Sequence, residues 1–306
     1  MQDARAVPSV LEKSMLLRDV KSVVWLQAKL IRRAARRIAQ QARYRRLSLH
    51  GVPVLFANSF PKSGTHLLTQ ALQGFTALGP AVDSGLPAVV TFDGITGEQR
   101  PAEAILRDLR RFRPGDIAYG HVHALPEVVV FLCQSGCASF FILRDPRDVV
   151  ISHVHYITEM EPNHVHHRFY KETLKTFEER LRISILGRPD IAIPFPNVAE
   201  RFAPYLGWLD HPEVLILRYE DFIAEPDTVL GWVFDHVVQR GFPSRLSRAE
   251  AIGTLKRFID PKRSPTFRAG KINAWRENFT PEIKALFKSI AGDLLIKLGY
   301  EKDNDW

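Results

Sequence analysis

Apolar side chains at Met15, Leu16, Val20, Val23, Val24, Leu30, Ile31, Ala34 and Ile38 recur at helical spacing through residues 11–44. The spacing predicts one long amphipathic helix, and Arg32, Arg33, Arg36 and Arg37 make its second half basic. Two surfaces suit such a helix: the body of the protein, with the arginines left in solvent, or an anionic membrane interface.

The period changes after residue 50. Residues 52–57 (VPVLFA) form a short apolar run that ends in a polar, glycine-containing turn, and residues 67–75 return to helical periodicity. The same succession of strand, loop and helix recurs twice. Residues 138–143 (ASFFIL) lead through a charged turn to a helical stretch at 148–156, and residues 213–217 (EVLIL) lead to another at 228–238. Strands separated by helices of this length pair in parallel, with helices on both sheet faces. The expected fold is therefore α/β: a single domain with a central parallel β-sheet flanked by helices. Charge-rich helical stretches at 168–185, 248–258 and 281–298 complete the cover. Ligands of such sheets bind beyond the carboxyl ends of the strands, where the three loops converge.

A chain of 306 residues, 45% hydrophobic and 25% charged, fits one sizeable soluble domain. No linker-like stretch or internal repeat divides it, so the expected organisation is a basic helical extension over 1–47 and a domain over 48–306. The net charge of +8 changes meaning once it is located: residues 1–50 carry +9, which leaves the remainder at −1. A neutral body argues against nucleic acid as a partner. Cys133 and Cys137 are too few for a disulfide framework or a structural zinc site. No run of about 18 apolar residues and no cleavable leader pattern occurs, which predicts a cytoplasmic protein, peripheral at a membrane at most.

The chemistry lies in the loops. Ser59-Phe60-Pro61-Lys62-Ser63-Gly64-Thr65-His66, between strand and helix, has the makings of a phosphate cradle: backbone N–H groups of Ser63, Gly64, Thr65 and His66, a glycine for close approach, and Lys62 as a point charge. It is not the triphosphate motif G-x-x-x-x-G-K-[ST], because the first glycine is missing and Lys62 precedes Gly64. Pro61-Lys62-Ser63-Gly64-Thr65 resembles the 5′-phosphosulfate loop of the cytosolic-type sulfotransferases. Arg144-Asp145-Pro146-Arg147-Asp148, with Ser152 eight residues after Arg144, is similar to that family's 3′-phosphate segment. Arg144 offers a planar fork for phosphate and Ser152 a hydroxyl; the alternative for Arg144 is an ion pair with Asp148.

Two further segments agree in order. Arg218-Tyr219-Glu220-Asp221-Phe222 resembles the family's Tyr-Glu-Asp element, whose tyrosine lies near the adenine, although core packing would equally explain Tyr219. Residues 267–280 resemble the C-terminal Arg-Lys-Gly signature: Arg268 and Gly270 match, whereas Ala269 stands where the family has lysine, with Lys271 as a substitute.

The resemblance implies a P-loop-kinase-like sulfotransferase fold. It also implies 3′-phosphoadenosine-5′-phosphosulfate (PAPS) as co-substrate, no metal, and an acceptor hydroxyl or amine on a small molecule, glycan or lipid. Lys62 would neutralise the leaving phosphate oxygen. The acceptor must lose a proton, and in Tyr119-Gly120-His121-Val122-His123 the resemblance favours His121 as a base near neutral pKa, with His123 as the alternative. The irregular segments 78–100 and 191–197 are expected near the acceptor. Leu67 replaces a family tryptophan and Tyr119 a family lysine, which points to a divergent branch, a bacterial-type one among the alternatives. A Mg²⁺-dependent nucleotide or sugar kinase and a non-enzymatic membrane-surface protein are the competing readings. The sequence assigns no oligomeric state.

Overall fold

The computed structural model describes residues 10–94, 96–190, 193–264 and 270–306, with side chains from residue 24 onward. Six strands form one sheet: β1 (Val54–Ser59), β2 (Val82–Asp83), β3 (Val89–Val90), β4 (Asp116–His121), β5 (Cys137–Leu143) and β6 (Val214–Arg218). Their order is β2-β4-β1-β5-β6, with β3 also against β4, and every pairing is parallel.

β1 and β5 are buried along their whole length. Because side chains alternate across a strand, Val54 and Phe56 join Phe141 and Leu143 in the core on one face. Leu55 and Ala57 join Ala138, Phe140 and Ile142 in the core on the other. Both cores are roofed by helices, as the parallel-sheet expectation requires. Helix α2 (Thr65–Gln73) and the helices Pro226–Gln239 and Arg248–Phe258 cover one face; Pro126–Cys133, Pro146–His155 and Pro281–Lys297 cover the other.

The N-terminal helix, α1 (Val10–Tyr44), packs on the sheet edge at β2, but not with the expected face. Two of its arginines turn inward. Arg33 and Arg37 reach the buried carboxylate of Asp116 at 3.2 and 2.8 Å, Arg36 donates to the Asp83 carbonyl and Lys29 to the Gly85 carbonyl. Val24, Trp25, Ile31 and Ile38 are instead exposed, each by more than half. A buried carboxylate on β4 gathers two guanidinium groups, and this long-range pairing is invisible in local periodicity. None of the described helices is long and apolar enough to cross a membrane.

Candidate active site

Beyond the carboxyl ends of the strands lies a cavity of about 1130 Å³, and it gathers Lys62, Gly64, Thr65, His66, His121, His123, Arg144, Ser152, Tyr219 and Gly270 on its walls. Arg268 and Ala269 lie outside the described residues.

The loop after β1 turns sharply into α2. Lys62 and Gly64 adopt positive φ angles of 70° and 101° on either side of Ser63. At Gly64 a side chain is excluded twice over, by that conformation and because a Cβ would stand 2.7 Å from Cδ2 of Tyr219. Ser63 is fully buried, and its Oγ has no hydrogen-bond partner among the described residues. Ser59 and Thr65 clasp the base of the loop through their hydroxyls at 2.6 Å. Lys62 places Nζ over the ring of Tyr156 at 4.3 Å, and burial, with the charge of Arg144, lowers its pKa to about 8. His66 is lowered too, first by burial and then by Lys62.

Arg144 follows β5 directly. The ion pair with Asp148 suggested as an alternative forms, at 3.4 Å, without removing Arg144 from the cavity wall. Its NH2 donates to the Lys271 carbonyl at 2.7 Å, its guanidinium lies 4.6 Å from the Tyr219 ring centroid, and its buried Nε has no partner among the described residues. Tyr219 is buried as packing predicts and still lines the cavity. Asp148 accepts the backbone N–H of Trp275 at 2.9 Å, so the segment beginning at Gly270 is drawn onto the start of the Arg144 loop. Lys271, the suggested substitute for the lysine missing at Ala269, borders the cavity, and its exposed side chain lies 3.6 Å from Glu277.

His121 ends β4. The sequence offered no strand here; the structure supplies one, in register with β1 through Asn58 and Gly120. Asn58 extends that ladder with its side chain, accepting from Val122 N–H at 2.9 Å and donating to Val122 C=O at 3.0 Å. The His121 ring is thereby held against β1, with Nδ1 3.1 Å from the Ser59 carbonyl and 3.0 Å from Ser59 Oγ. A carbonyl only accepts, so Nδ1 carries the proton and Nε2 keeps its lone pair. Burial lowers His121 to about 4, against the expectation of a near-neutral base, although the Ser59 carbonyl pulls the other way. His123 is likewise lowered to about 4 by burial; its ring packs edge-on against Tyr205 at 4.8 Å.

The far half of the cavity was only partly foreseen. Phe92 and residues 193–196 come from the irregular segments expected there, but Tyr156, His164, His166 and Arg201 also line it and belong to no motif. Away from the cavity, Cys133, His211 and Glu213 bring three potential ligand atoms within 4.8 Å of one another.

Residues 118–237 match the family model of the sulfotransferase domain. That stretch is similar to a sulfotransferase domain. No curated protein matches the chain significantly. Among solved structures, mouse sulfotransferase SULT7A1 complexed with PAP is similar with a TM-score of 0.54, at 16% identity over 79% of this chain and 84% of that one. A retinol dehydratase in a complex with retinol and PAP gives 0.52 at 16% identity over 79% and 81%, and its complex with androsterone and inactive cofactor PAP gives 0.52 at 16% over 85% of each chain. At such identity these likenesses support the fold. The family match over residues 118–237 favours the sulfotransferase reading over the kinase and non-enzymatic ones.

Proposed function

We propose that this sulfotransferase moves the sulfonate of PAPS to a hydroxyl, or an amine, of a small organic acceptor. One observation carries the reading: Ser63 Oγ and Arg144 Nε, both buried and both without partners, flank Lys62 where a phosphorylated donor would bring oxygen acceptors. Buried polar groups are rarely left unsatisfied, and two adjacent to a cation fit an anionic ligand.

PAPS, when bound, supplies an activated sulfonate whose leaving group is adenosine 3′,5′-bisphosphate (PAP). The backbone N–H groups of Ser63, Gly64, Thr65 and His66 hold the 5′-phosphate at the start of α2. Arg144, Ser152 and the segment 268–270 take the 3′-phosphate, and Tyr219 borders the adenine. Lys62, still a cation at neutral pH, stabilises the negative charge that grows on the leaving phosphate oxygen. His121 receives the acceptor proton at Nε2 as the acceptor oxygen closes on sulfur, and His123, in contact with Tyr205, shapes the wall beside it. The acceptors retinol and androsterone named with the retinol dehydratase structures favour a hydroxyl compound of similar apolar character. The exposed apolar face of α1, Val24, Trp25, Ile31 and Ile38, suits peripheral contact with a membrane surface.

The deciding experiment is calorimetric titration with PAP, and separately with ATP and Mg²⁺, of the wild type and Arg144→Ala. Micromolar-range binding of PAP, on the order of −8 kcal/mol, that is lost in the variant supports the reading. Preference for ATP with Mg²⁺, or PAP affinity untouched by the substitution, overturns it.

A further inference from the structure

The cavity continues past His121 and His123 to an end that the transfer chemistry does not use. Apolar walls from Phe92, Val165, Pro194 and Phe195 lead there to Arg201 and His166. Arg201 lies on the helix Val198–Leu206, four residues before Tyr205, whose ring packs against His123. Four residues are about one helical turn, roughly 5.4 Å of rise, so the guanidinium and the transfer site share a wall. The same helix is fixed to the phosphate loop, because Phe202 stacks on Phe60 with ring centroids 3.7 Å apart.

Arg201 is a cation without a counter-ion. It donates to the Ser184 carbonyl and lies over Phe195 at 4.5 Å, while its Nε is buried and unpartnered. Burial lowers its pKa to about 10. Among the described residues it forms no ion pair with a carboxylate. Glu200 borders the same cavity but accepts the Asn197 N–H at 2.9 Å, and Asp93 accepts the Thr96 N–H at 3.1 Å. A shielded charge lacking a counter-ion is costly, and no described carboxylate offsets that cost. Its neighbours do not add charge of their own: burial and Arg201 keep His166 and His153 below the ordinary histidine value, and burial keeps His164 at about 4. One guanidinium beside neutral imidazoles balances a single negative charge better than a phosphate dianion.

We propose that Arg201, assisted by His166, binds a carboxylate on the acceptor, which is a largely apolar hydroxyl compound carrying that carboxylate at the end remote from the hydroxyl to be sulfonated. The assignment rests on the sulfonate-transfer reading above and names the acceptor class for the same cavity.

The test uses the full chain saturated with PAP and titrates it with 4-hydroxyphenylalkanoic acids of increasing chain length and with their methyl esters. At the best chain length the acid should bind at least about ten-fold more tightly than its ester, as expected for a hydrogen bond to a charged group. In Arg201→Gln that ratio should fall to within about two-fold, with PAP affinity unchanged as the control for folding. Should the glutamine variant lose PAP, Arg201→Met, which keeps an apolar stem on Phe195, carries the comparison. Esters that bind wild type as tightly as acids at every length overturn the proposal while leaving the transfer reading intact. So does an acid preference that survives Arg201→Gln. Wild type that binds no PAP overturns the transfer reading and this inference with it.

Discussion

Burial sets the charge of both groups proposed to face the reacting atoms. His121 at about 4 is a neutral imidazole at ordinary pH, and Lys62 at about 8 is still a cation there. One is ready to take a proton and the other to meet an oxyanion. His121→Ala should therefore lower kcat by roughly 10²–10⁴-fold, whereas His123→Ala should act mainly on acceptor KM; equal losses in kcat would reduce both to packing residues. The wild-type rate should stay flat through neutral pH and fall only as acid approaches 4, so an inflection near 6.5 in the rate profile would show a different base at work. Lys62 gives the alkaline counterpart. It loses its proton as pH rises through about 8, and PAP affinity should weaken above that point; a flat calorimetric profile would remove Lys62 from the phosphate site. Between about 8 and 10.5 the unfolded chain holds the proton that the folded chain has released, so this group's contribution to stability rises with pH across that window.

At the scale of elements, the turn from β1 into α2 concentrates the constraint. Gly64→Ala introduces both a strained φ and a Cβ against Tyr219, and should cost roughly 1–3 kcal/mol in urea unfolding while weakening PAP binding. Unchanged stability and affinity would mean that the loop relaxes freely. This turn, β1, β5 and β6 were legible in the sequence for a physical reason: strands buried on both faces read as apolar runs, and a phosphate loop needs its lysine, glycine and hydroxyls in fixed order. β4 was not legible. Its sequence, DIAYGH, begins with Asp116 and ends with Gly120 and His121, and the ion pairs that let Asp116 be buried there come from Arg33 and Arg37, far along the chain. β2 and β3, two residues each, carry no periodicity to read. Arg201 escaped for a related reason: one arginine in an amphipathic helix looks solvated until the fold encloses it.

For the whole molecule, α1 is the part whose removal tells most. Asp116→Ala leaves Arg33, 5% exposed, and Arg37 facing a carboxylate that is gone, and should lower stability by about 3–5 kcal/mol. Deleting residues 1–47 removes those arginines with the helix, so the same substitution should be far milder in the shortened chain. Chemical denaturation of the four proteins gives the coupling directly, and equal penalties in the long and short chains would show that α1 does not hold Asp116 in solution. The shortened chain should keep PAP affinity within about two-fold, since no described residue of α1 lines the cavity.

The side-chain amide of Asn58 bridges β1 to the backbone just beyond His121, so the phosphate loop and the candidate base hang from a single hydrogen-bonded ladder. The walls around Val165, Phe195 and Arg201 come from segments outside that ladder, whereas Phe92 follows β3, which pairs with β4. Reaction and recognition thus draw on different segments of the chain that touch where Phe202 stacks on Phe60. Side chains of the second can change while that contact and the ladder stay in place, which is the architecture a lineage needs if it is to change its acceptors repeatedly without reinventing its chemistry.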